Sequence, residues 1–167
     1  MQRRRIVAAL FLLFALVLAT LFFLEIKFPM GFEGYFKSEY YNQFGPLAIC
    51  VELFIAGLYL YTKNDKANFA LAVFAFTALL DPFFNLIGLF TTLVPTYATV
   101  LFVCFALIAL WIAFSNSFNL QRISLIAVLI SFILGTAIEL FFNYFLSPIS
   151  TSSFSQKTDI SFHFIYS

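Results

Sequence analysis

Glu52, Asp81 and Glu139 are the acidic side chains that fall inside long apolar stretches of this sequence. An ionisable group in hydrocarbon is costly unless it is paired, neutralised or wet. No Lys or Arg lies within the same stretches to pair with them. Each carboxyl is therefore expected to be protonated, hydrogen-bonded to a neighbouring helix, or turned toward water or a bound cation. Carboxyls held close hinder one another's ionisation, and such a group can take up and release protons near neutral pH. The chemical reading is thus a proton or cation site made of Glu52, Asp81 and Glu139, with Asn85 and Asn143 on the same helix faces. The structural reading is that the same residues are polar glue between helices. Asp81 has a plainer role still, as a helix cap before Pro82.

Residues three and four apart share a helix face, and that spacing sorts the polar residues into seams. Ser124, Ala127, Ser131, Gly135, Glu139 and Asn143 make a small and polar line on a segment otherwise rich in Ile, Leu and Phe. Thr77, Asp81, Asn85, Gly88 and Thr92 make a second line, and Ala48, Glu52, Ala56, Tyr59 and Lys63 a third. Small residues permit close helix approach and hydroxyls or amides can bond across it, so these lines are expected to face protein.

Other chemistry is poorly supplied. Cys50 and Cys104 sit in apolar runs with no zinc or redox spacing. They lie at comparable depth on segments running the same way, so a bridge can be drawn between them, but buried cysteine usually acts as a small hydrophobe. The single His163 is in the C-terminal tail, and there is no Gly-rich phosphate loop, no H-E-x-x-H and no G-x-S-x-G. The expectation is no enzyme, no cofactor and no metal.

The elements that must position the acids are set by composition. The chain is 63% hydrophobic and 10% charged, with a mean hydropathy of +1.00 and 26 Phe among 167 residues. A soluble domain would lack the polar residues to cover its surface, whereas lipid is a solvent that suits it. A bilayer core about 30 Å thick takes roughly 20 apolar residues as a helix. The runs of that kind lie near 6–24, 46–61, 67–93, 96–114 and 123–146. They predict an all-α, polytopic transmembrane bundle of about five spans in a single domain, 1–149, with a polar and aromatic tail at 150–167. The third span is predicted to kink or break at Asp81–Pro82, because proline removes a backbone donor and clashes with the preceding turn. The alternative is a span ending at Leu80, followed by an interfacial segment from Phe83 to Val94.

Five spans place Arg3, Arg4, Arg5, Lys63, Lys66 and Arg122 on one side and Lys27, Lys37 and Lys157 on the other. Positive loops stay cytoplasmic, so the N-terminus is predicted inside and the C-terminus outside, with a bacterial inner membrane as the setting. The basic start and apolar run behind it also look like a secretory signal, but the run is long and no A-x-A site follows, so a retained first helix is expected. Segment 25–44 interleaves Phe28, Phe32, Tyr35, Phe36, Tyr40, Tyr41 and Phe44 with charges, as an interfacial anchor does. Trp111, Tyr59 and Tyr61 fit an aromatic belt. Counted from the predicted helix ends, Glu52 and Glu139 share a depth about 10 Å below the external surface and Asp81 lies nearer the midplane.

The expected partners are the lipid bilayer and either further copies of the chain or a larger membrane complex, with no nucleic acid. The function expected first is an accessory or assembly subunit packing through its seams. The alternative is a small proton- or cation-coupled transporter or channel, for which a broken helix at Asp81–Pro82 would suit a midplane site. A transporter needs a polar cavity joining its acids to water, whereas a packing subunit buries them dry.

Overall fold

The computed structural model describes residues 2–89, 94–115, 117–118, 120 and 122–142, excepting the side chains of Ser38 and Glu39. Its elements are all helical: α1 Gln2–Glu25, a 3-10 turn Phe32–Phe36, α2 Ser38–Asn42, α3 Gly45–Thr62, α4 Ala67–Leu86, α5 Thr96–Ser115 and α6 Leu125–Leu140. Four helical stretches are long and apolar enough to cross a membrane, namely Gln2–Glu25, Tyr40–Thr62, Ala67–Leu86 and Thr96–Ser115, and α6 is a shorter apolar helix of 16 residues. The described chain is therefore the helical bundle that its composition demands, and it has the character of a membrane protein.

The outside of the bundle is strongly apolar. On α6 the buried residues are Ser131, Gly135 and Glu139. Leu125, Ile126, Leu129 and Ile133 on the same helix are each more than half exposed. A water-soluble helix turns its aliphatic face inward. Here the aliphatic face looks out and the polar line looks in, as expected when the solvent is hydrocarbon.

α4 is the hub of the bundle. It packs against α3, α5 and α6, while α1 packs against α3. Buried residues wrap α4, from Ala67, Asn68 and Leu71 at its start to Thr77, Leu80 and Asp81 beyond its middle. α1 contributes the stripe Ala8, Phe11, Ala15, Leu18 and Phe22, spaced three or four apart as one face of a helix must be. Its Phe11 ring meets Phe105 of α5 edge-on at 5.3 Å between centroids. α1 and α3 approach closely at Gly57, where an added Cβ would stand 3.2 Å from the Leu12 backbone nitrogen.

Short signals punctuate the helices. Pro46 stands in the first turn of α3, where a missing N–H costs nothing. α3 ends on Lys63 in the left-handed conformation, φ 58°, with its N–H returning to the Leu60 and Tyr59 carbonyls. The Asn64 side chain then accepts from the Lys66 N–H at 2.9 Å, which turns the chain directly into α4. At the start of α6 the Ser124 hydroxyl accepts from the Ala127 N–H at 3.1 Å as an N-cap.

Two boundaries differ from the hydropathy reading. α4 carries Pro82 inside it and continues one further turn to Leu86, so the Ala78 carbonyl goes without its usual donor. It ends well before residue 93, because Ile87 leaves the helix and Gly88 takes a positive φ of 72°. Leu86, Ile87 and Leu89 remain apolar and exposed, so hydropathy does not register the stop. The last predicted span, 123–146, is represented by α6 and the residues up to 142. The tail predicted at 150–167, and Asn143 with it, lie outside the described residues.

Candidate functional site

α3 runs antiparallel to α4 and α6, which brings its start beside the ends of both. A cleft there is lined by Asn42, Gly45, Pro46, Ile49, Asp81, Val94, Glu139 and Phe142. Asp81 is 3% exposed and Glu139 4%. The cleft encloses about 10 Å³, which is room for about one water molecule. Phe142 seals it on one side, with its Cβ 3.5 Å from where a Cβ on Gly45 would stand. Neither acid is without interactions in this setting. Among the described residues no Lys or Arg lines the cleft.

Glu52 lies elsewhere. It sits deeper in the bundle beside Thr77 of α4, one helical turn before Asp81. Both of its carboxyl oxygens are shut off from solvent and have no hydrogen-bond partner among the described residues. Thr77 directs its hydroxyl to the Val73 carbonyl at 3.1 Å instead. On its other side Thr77 meets α6 at Gly135, where an added Cβ would lie 2.9 Å from the Thr77 nitrogen. Thr77 of α4 thus stands between Glu52 of α3 and Gly135 of α6.

The structure thus pairs the acids differently from the depth count. Asp81 and Glu139 share one cleft, and Glu52 is the deeper group. The cause is the early end of α4: with the helix stopping at Leu86, Asp81 lies five residues from its end, about 7.5 Å along the axis, and not near its middle. Asn85 is exposed on the last turn of α4 and does not line the cleft. Asn42, Pro46 and Phe142 do line it and were not anticipated, since Asn42 precedes the predicted span, Pro46 merely opens it and Phe142 reads as one more lipid-facing aromatic. Asn68 was also missed. It is buried at the start of α4, and its Nδ2 donates to the Leu120 carbonyl at 3.4 Å, tying the α5–α6 connection to the hub.

Two wider hollows flank the cleft. One, of about 340 Å³, is lined by Phe22, Glu25, Ile26, Lys27, Gln43 and Pro46, and shares Pro46 with the acid cleft. The Gln43 side chain closes its rim by accepting from the Lys27 N–H at 2.9 Å. The other, of about 410 Å³, is an open aromatic groove of Tyr40, Tyr41, Phe44, Phe141 and Phe142. Tyr40 anchors segment 25–44, with the rings of Tyr35 and Phe44 each 5.2 Å away.

Both cysteines are unpaired, Cys50 buried and Cys104 exposed. The bridge conceived from the sequence is not formed. Among the described residues no three His, Cys, Asp or Glu side chains gather as ligands for a metal ion. No known protein family, curated protein or solved structure matches the chain.

Proposed function

We propose that this chain is a multi-pass membrane protein acting as an accessory or assembly subunit, in which Asp81 and Glu139 hold helices together and neither they nor Glu52 conduct ions. The observation that carries the reading is the closure of the acid cleft, about 10 Å³ between α3, α4 and α6. A conducting or alternating site needs a wet path on at least one side, and a space for about one water is a packing detail. The small residues Gly57 and Gly135 at the helix crossings support the same role.

The orientation proposed follows the cations. Arg3, Arg4, Arg5, Lys63, Lys66 and Arg122 lie at the ends of α1, α3, α4 and α6 that share one side of the bundle, and the Arg5 guanidinium sits 5.9 Å above the Tyr61 ring. That side is cytoplasmic in this reading, and the acid cleft lies toward the external side. A bacterial inner membrane, further copies of the chain or a larger membrane complex, and the absence of enzymatic chemistry complete the proposal.

A second reading, a proton- or cation-coupled transporter, draws on the orphaned oxygens of Glu52 and on the 340 Å³ hollow beside the acid cleft. Proteoliposomes separate the two. The accessory reading expects proton and monovalent-cation flux no faster than in empty vesicles, together with migration of the native protein in a complex larger than one chain. Flux that disappears on Asp81→Asn or Glu139→Gln would establish the transporter instead.

A further inference from the structure

The end of the bundle remote from the acids gathers cations with little to balance them. Arg3, Arg4 and Arg5 open α1, Lys63 closes α3, Lys66 precedes α4 and Arg122 precedes α6, and Asp65 is the one acid among the described residues of these segments. Arg4 differs from the rest. It falls in phase with the buried stripe Ala8, Phe11, Ala15, Leu18 and Phe22, so its side chain starts toward the bundle interior. Its Nη1 is shut off from solvent and has no hydrogen-bond partner among the described residues. A buried guanidinium N–H without an acceptor is costly, and the planar fork suits a phosphate oxygen pair.

The surroundings say which phosphate. Arg5 is held over the Tyr61 ring, and the surface immediately below it is apolar, with Ile6 54%, Leu58 41% and Tyr61 45% exposed. A soluble anion gains nothing from such flanks, whereas an acyl chain lies along them while its headgroup meets the cations. We propose that this end of the bundle binds the phosphate of an anionic phospholipid, held by Arg4 with Arg5 and Lys63 at the same end of the α1–α3 pair. The inference rests on the membrane placement and orientation proposed above, and not on the assembly role.

The test uses the whole chain reconstituted in phosphatidylcholine membranes with spin-labelled phosphatidylglycerol or phosphatidylcholine as probe. Each engaged cation adds about fivefold to the preference for the anionic lipid, so the wild type should hold phosphatidylglycerol several-fold better. Arg4→Gln should lose about fivefold of that preference, Arg4→Lys should lose less, and Lys37→Gln at the other end should change nothing. If Arg4→Gln fails to fold, the wild-type preference still decides the matter. Equal binding of the two lipids by wild-type protein that floats with its vesicles overturns the site and leaves the membrane placement intact. Protein that does not float overturns both. Preference abolished by inorganic phosphate assigns the site to a free anion and overturns the lipid, and preference unchanged in a folded Arg4→Gln overturns the site proposed at Arg4.

Discussion

Gly135 of α6 lies so close to Thr77 of α4 that a methyl group on the glycine would stand 2.9 Å from the Thr77 backbone nitrogen. A backbone atom cannot step aside as a side-chain tip can. Gly135→Ala should therefore lower stability although alanine is the better helix former, and Gly135→Leu should lower it further, by about 1–3 kcal/mol. Thermal unfolding of the detergent-solubilised protein checks this, with Gly31→Ala as a silent control because nothing lies within 4 Å of its added Cβ.

Glu52 should be a liability to the fold. Its oxygens are buried without partners, and an unsatisfied buried polar group costs about 1–3 kcal/mol. Glu52→Met keeps the volume and removes the burden, so it is expected to raise the melting temperature. A lower melting temperature would show that the carboxyl is satisfied by something it binds in the membrane.

Asp81 and Glu139 should act as a unit. They line one cleft, so the stability effects of Asp81→Asn and Glu139→Gln should fail to add, with a coupling of about 0.5 kcal/mol or more. A double-mutant cycle on unfolding measures it. Strict additivity would mean that the two carboxyls do not sense each other.

The orientation can be read by thiol labelling in a Cys50→Ala, Cys104→Ser background. Gly31→Cys and Asp65→Cys both place the new thiol at an exposed position, at opposite ends of the bundle. Intact cells should label the first with a membrane-impermeant maleimide, and the second should label only after permeabilisation. The reverse pattern would invert the topology.

What the sequence made legible, and what it hid, follows from the range of each interaction. The seam on α6 could be read because Ser131, Gly135 and Glu139 stand four apart, and local spacing is enough to place residues on one face. The end of α4 was harder, since Leu86, Ile87 and Leu89 look like continued span and only Gly88 marks the stop. That one misplaced boundary shifted Asp81 toward the midplane and hid its neighbour. The company of Asn42, Pro46 and Phe142 around Asp81 and Glu139 is tertiary, set by how three helices meet, and no spacing along one chain encodes it.

The central place of α4 also bears on biosynthesis. Chains are made and inserted from the N-terminus, and α4 leaves the ribosome with α3 already beside it but with α5 and α6 unmade. At that moment the Leu120 carbonyl to which Asn68 donates, and the Glu139 that shares a cleft with Asp81, have not yet been made. A chain truncated after α4 would leave uncovered the faces of the hub that pack against α5 and α6, and is expected to be a substrate for membrane quality control.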